Sequence, residues 1–217
     1  MANSEPYNPL DKVNLGKSVA EALLDQDVEN MDLLEVFDGA GVYAIYYRGP
    51  FAPYAQIAKA NDEYATLPIY IGRASPASGR RGLETSAARQ GRALYNRLRN
   101  HADTISAAVN LELGDFQVRW LAVDDIWIPL GESLLLSKFQ PVWNSFLDGF
   151  GNHDPGAGRH AGLIPLWDVL HPGRRWASSL RPRDATAEQL GRQVAAYIAE
   201  HMPKGDAGKI DFGQSDP

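Results

Sequence analysis

The sequence predicts an α+β fold, and three observations predict it. Short β-branched and aromatic runs recur at 41–47, 67–72 and 116–122. Proline-free stretches at 87–109 and 186–202 carry apolar residues at helical spacing, and Gly/Pro-rich segments separate the two kinds of element. With 217 residues, 44% of them hydrophobic, the chain can bury a sizeable core. We expect one domain over 1–217, with its core at about 39–147, an N-terminal helix at 10–26, a C-terminal extension at 148–202 and a mobile tail at 203–217.

Residues 10–26 place Leu15, Val19, Ala22 and Leu23 on one side of a helix, with acids over much of the rest. The run 41–47 follows the turn-forming Asp38-Gly39-Ala40-Gly41, which makes it a strand after a turn. The second strand begins at Leu67-Pro68, where a proline is tolerated at a strand start. Between them, 49–66 is an insertion in a hairpin, with a helical turn expected around 56–64. A Gly/Ser/Pro-rich loop at 74–82 leads to the best-patterned helix, 87–109, with Leu94, Leu98, Ala102 and Ile105 along one face. The third strand, 116–122, roughly alternates polar and apolar residues. A helix is expected from Glu132 to Phe139, starting after Pro129 and Gly131 and stopping near Pro141. Residues 148–159 are loop by composition, and Leu190, Val194, Tyr197 and Ile198 stripe the last helix.

The absence of cysteine excludes a disulfide framework, a thiolate zinc site and a cysteine nucleophile. No apolar run approaches the roughly 20 residues of a membrane span, and the N-terminus lacks the order of a secretory signal, so a cytoplasmic protein with no membrane partner is expected. A net charge of −6 argues against a nucleic-acid partner only until its distribution is read. Residues 11–38 are strongly acidic. From Tyr70 to His101 the charges are Arg73, Arg80, Arg81, Arg89, Arg92, Arg97 and Arg99 against Glu84 alone. That block suits phosphate or base-edge contact, and equally a solvated arginine-rich surface.

Chemistry-bearing residues follow in the order Gly41-Val42-Tyr43, Tyr70-Ile71-Gly72, Arg97, His101, Glu132, Asn144. In this order the sequence resembles the GIY-YIG nuclease family, over about 41–144, and the Arg97-x-x-x-His101 spacing resembles its restriction-enzyme branch. The resemblance implies a small three-stranded, mainly antiparallel sheet flanked by helices, with Tyr43, Tyr70, Arg97, His101, Glu132 and Asn144 as catalytic residues. It also implies Mg2+ as cofactor, double-stranded DNA as partner, a homodimer and a prokaryotic cytoplasm.

The residue types suit hydrolysis of a phosphodiester by water, which needs a base, cations for the charged oxygens and usually a metal. Glu132 is the one carboxylate in the constellation and the expected metal ligand, enough for a magnesium ion that keeps most of its waters. Read alone, an acid in a first helical turn is as well explained by the helix dipole. Arg97 and His101 lie one helical turn apart and can address one phosphate. Tyr43 is expected to position or deprotonate water with His101 as proton acceptor, and Tyr70 to orient the phosphate or water. Ordinary strand packing explains either tyrosine alone. Asn144 has no acid or base capacity and is expected to brace Glu132 or the strand ends.

The Tyr43-to-Tyr70 and Tyr70-to-Arg97 gaps are longer than the family pattern, so both are insertions. Arg73, Arg80, Arg81, Arg89 and Arg92 in the second are expected to reach DNA, with Asn152, His153, Arg159, Arg174 and Arg175 as further contacts. The expected function is a Mg2+-dependent type II restriction endonuclease cutting a palindromic, GC-rich site, for which the resemblance suggests CCGCGG. A structure-specific or repair nuclease, and a non-catalytic DNA-binding protein, are the alternatives. Gly205-Asp206-Ala207-Gly208-Lys209 lacks the strand and hydroxyl residue of a phosphate loop, and His153 and His160 share no defined face.

Overall fold

The computed structural model describes residues 11–76, 91–154, 156 and 161–202. The elements in chain order are α1 (Lys12–Leu24), β1 (Glu29–Asn30), β2 (Gly41–Tyr47), α2 (Ala55–Ala60), β3 (Pro68–Ala74), α3 (Ala93–Ala107), β4 (Phe116–Ala122), α4 (Ile128–Phe139), α5 (Val142–Ser145), α6 (Leu166–Leu170) and α7 (Ala187–His201). The fold is α+β, with an antiparallel sheet of order β1-β4-β2-β3. The three expected strands form its body. A two-residue fourth strand, β1, joins at the outer edge of β4, too short to show any sequence periodicity.

β2 is central, and every one of its residues is buried. That explains a run that is apolar and aromatic throughout instead of alternating, because helices cover both sheet faces. α3 packs on one face and α1 with α4 on the other. Leu94, Leu98, Ala102 and Ile105 are the buried stripe of α3, and a buried aliphatic side chain of this size contributes about 1.5–3 kcal/mol. The turn before β2 is tied to the start of α3, with Gly39 accepting from the Leu94 amide at 3.0 Å and donating to Gly91 at 2.6 Å. The sheet end bearing both tripeptides is thereby fixed against that helix.

Three elements differ from expectation. α4 begins at Ile128, with Pro129 inside its first turn, where its missing N–H costs nothing. Glu132 therefore lies beyond the first turn and is not a capping acid. α5 and α6 were not anticipated, since helices of four and five residues hold barely one period. α7 opens with a capping box in which the Thr186 side chain accepts from the Gln189 amide and the Gln189 side chain accepts from the Thr186 amide.

Candidate active site

Tyr43 on β2 pairs with Gly72 on β3, and Ile45 with Tyr70, so these four residues share one sheet face. Gly72 is required there, because a Cβ at that position would run into the Tyr43 ring and hydroxyl. His101, on the buried face of α3, closes the arrangement with its Nε2 2.6 Å from the Tyr43 hydroxyl. Arg97, one turn earlier and half-buried, interacts with both tyrosine hydroxyls. Phe150 stacks on the His101 ring at 4.6 Å and meets Tyr70 edge-on at 4.9 Å.

The electrostatics define protonation. Burial holds Tyr43 well above the usual phenol range, an effect that nearby Tyr70 reinforces and Arg97 opposes. Burial, then the Arg97 charge, then His153 hold His101 well below the usual imidazole range. Both groups are therefore neutral, and the Tyr43 hydroxyl and His101 Nε2 share one hydrogen bond. Tyr43 has no exposed surface, whereas Tyr70 is only partly buried, so the hydroxyl nearest solvent is that of Tyr70.

Glu132 approaches from the other side of the sheet. Arg73 pairs with Val42, on the face opposite Tyr43, and its Nε lies 3.2 Å from Glu132 Oε2. Glu132 is half-buried, and desolvation raises its carboxyl more strongly than Arg73 lowers it. A partly desolvated carboxylate with one exposed cationic neighbour suits a hard divalent cation, and a single protein carboxylate suits magnesium, which takes water and phosphate oxygens as its other ligands. Among the described residues no three His, Asp or Glu side chains converge on a metal position. Asn144, on α5, bonds the free edge of β3 in both directions at Ile71, accepting from its amide at 2.8 Å and donating to its carbonyl at 2.7 Å.

The structure places the expected DNA contacts unevenly. Arg73 and Arg92 are exposed but ion-paired, Arg92 with Asp38 at 3.4 Å. The Arg92–Asp38 pair is exposed on both sides, and such a pair is worth about 0–1 kcal/mol and yields readily to a phosphate. Asn152, His153 and Arg175 are exposed. Arg80, Arg81, Arg89 and Arg159 lie outside the described residues. Arg174 does not reach the surface; it is 7% exposed and bonded to Asp168 and three backbone carbonyls, so the expected DNA contact is corrected to an interior role. Phe150, Gly151 and Asp168 were not anticipated at the site. An acid and two tryptophans within seven residues of Arg174 were the available sequence signal.

Paired tyrosines on two antiparallel strands are backed by an arginine and a histidine one helical turn apart. Residues 35–198 match the family model described as Eco29kI GIY-YIG domain. The chain belongs to that family of restriction endonucleases and is accordingly a DNA-binding nuclease of restriction type. No curated protein matches it. Among the described residues no helix is long and apolar enough to cross a membrane.

Proposed function

We propose that the protein is a type II restriction endonuclease that hydrolyses both strands of a palindromic, GC-rich DNA site, acting as a homodimer with Mg2+. The observation that carries this reading is the buried 2.6 Å hydrogen bond between Tyr43 and His101 beside Arg97 and the partly exposed Tyr70. A two-fold palindrome calls for a two-fold enzyme.

The chemistry runs along this chain of hydroxyls. A water at the exposed end gives its proton to the Tyr70 oxygen, Tyr70 passes its own to Tyr43, and the Tyr43 proton lodges on Nε2 of His101. The resulting hydroxide attacks phosphorus, and the bond to the leaving oxygen breaks in line. Arg97 offers its guanidinium to the nonbridging oxygens, where negative charge accumulates. Glu132 would hold Mg2+, which when bound supplies Lewis acidity and charge neutralisation at the phosphate. Asn144 keeps β3, and with it Tyr70, in register. Arg73, Arg92, Arg175, Asn152 and His153 are the DNA contacts of this reading, and Arg80, Arg81, Arg89 and Arg159 join them from the sequence alone.

Incubation of the purified protein with plasmid DNA and Mg2+, followed by sequencing of the fragment ends, tests the reading. Discrete fragments sharing a palindrome, CCGCGG first among those to inspect, are expected. Smearing, or selective nicking of branched substrates, would assign the protein to structure-specific nucleases instead; binding without cutting would make it a non-catalytic DNA-binding protein.

A further inference from the structure

Arg174 is consumed inside the protein, and what it holds is a wall of the catalytic cluster. Its guanidinium lies between the rings of Trp167 and Trp176, 4.9 and 4.7 Å from their centroids. It forks onto the Asp168 carboxylate at 2.6 and 2.5 Å. Its remaining hydrogen bonds go to the carbonyls of Gly149 at 2.9 Å, Phe150 at 3.4 Å and Asn152 at 2.9 Å. Buried carbonyls of an irregular segment need partners, and a rigid cationic fork that serves three of them fixes the path of that backbone. The start of the segment is pinned separately, since Asp148 accepts from the Leu166 amide at 2.7 Å and pairs with Arg183 at 3.3 Å.

The clamped segment is the part of the chain that faces the tyrosines. Phe150 lies nearly parallel to the His101 ring, at 10° and 4.6 Å. At Gly151 a methyl group would stand 2.8 Å from Arg97 Nη2, 3.5 Å from the Tyr70 hydroxyl and 3.7 Å from His101 Cε1. Side-chain-free backbone at this point leaves Arg97 room to move onto a phosphate.

We propose that Arg174, braced by Asp168, is a positioning residue for DNA cleavage: it clamps residues 149–152 so that Phe150 holds the His101 ring and Gly151 leaves Arg97 and Tyr70 free to engage the scissile group. This rests on the reading of Tyr43, Tyr70, Arg97 and His101 as the catalytic cluster. It also separates Arg174 from the DNA-contacting arginines, because a phosphate contact governs affinity and its salt dependence, whereas a clamp governs the rate once DNA is bound.

The test compares wild type, Arg174→Lys and Gly151→Ala on a plasmid-derived duplex carrying a mapped cleavage site, with Mg2+ for single-turnover cleavage and Ca2+ for binding. Arg174→Lys keeps the charge and loses the fork. The cleavage rate constant is expected to fall about 10- to 100-fold in both variants. Affinity and its salt slope should stay within about twofold of wild type. Weaker binding with a shallower salt slope in Arg174→Lys would return Arg174 to the DNA surface and overturn the clamp. An unchanged rate constant would also overturn it, including the case where only the active fraction and the melting temperature drop, which marks a merely structural residue. Gly151→Ala decides if Arg174→Lys fails to fold, since Gly151 is only half-buried. Tyr43→Phe, run alongside, keeps the two readings apart. Wild-type cleavage by Tyr43→Phe refutes the catalytic assignment, while a slow Tyr43→Phe beside fast clamp variants refutes the clamp alone.

Discussion

Tyr43 and Tyr54 are each hydrogen-bonded to a histidine Nε2 at 2.6 Å, that of His101 and His171 respectively, and all four residues are buried. What surrounds the two pairs is different. The Tyr54 oxygen accepts from Trp143 Nε1 at 2.7 Å, and His171 Nδ1 bonds the side-chain oxygen of Asn110 at 2.9 Å. Burial alone pushes His171 down to about 3. That network is closed, and it ties the turn after β2, the loop before β4, α5 and the end of α6 into one scaffold. The Tyr43 pair instead adjoins a half-buried guanidinium and a tyrosine that reaches toward solvent. A buried Tyr–His bond becomes a proton path only when one end opens onto charge and water.

Substitution on both sides of this comparison should give opposite phenotypes. His101→Gln is expected to slow cleavage by about 10²–10⁴-fold while leaving the urea-unfolding midpoint close to wild type. Tyr54→Phe, which orphans Trp143 Nε1, should cost about 1–3 kcal/mol in the same unfolding measurement and leave the cleavage rate of the folded fraction unchanged. If Tyr54→Phe instead slows cleavage and His101→Gln does not, the two pairs have been assigned the wrong way round.

Asn144→Ala should fall between these extremes. It strips the β3 edge of two hydrogen bonds at Ile71, costing about 1–3 kcal/mol. It should also slow cleavage, since Tyr70 is the next residue along; measuring stability and single-turnover rate on one preparation checks both.

The last comparison concerns pH, where the two pairs act alike. Both histidines are held neutral when folded but take up a proton near pH 6.5 when unfolded. The unfolded state therefore binds more protons below pH 6.5, so stability falls as pH drops from there toward about 3, where folded His171 titrates. Each histidine adds up to about 1.4 kcal/mol per pH unit to that slope. A flat urea-unfolding profile between about pH 7 and about pH 5 would show that neither is held neutral in the folded protein, whereas half the expected slope would implicate one of them.

Much of this fold was legible in the sequence because its elements are long or strongly patterned. β2 and β4 fall within the expected limits, as does the stripe of α3, and the tripeptides with Arg97 and His101 mark one face of the sheet. Other features resisted for physical reasons. A charged side chain in a sequence is most economically read as solvated, so Arg174 passed for a DNA contact although Asp168 and two tryptophans stand close by. Tyr54 and His171 are 117 positions apart, and no local period joins them. The exposure of Tyr70 relative to Tyr43 depends on which strand lies at the sheet edge. That follows from topology and not from composition.

The most direct test of the catalytic reading is single-turnover cleavage of a mapped duplex by Tyr43→Phe in saturating Mg2+, with binding measured separately in Ca2+. A loss of rate by at least about 10²-fold at wild-type affinity is expected, because phenylalanine keeps the packing against Gly72 and removes only the proton path to His101. Cleavage at the wild-type rate would contradict the account.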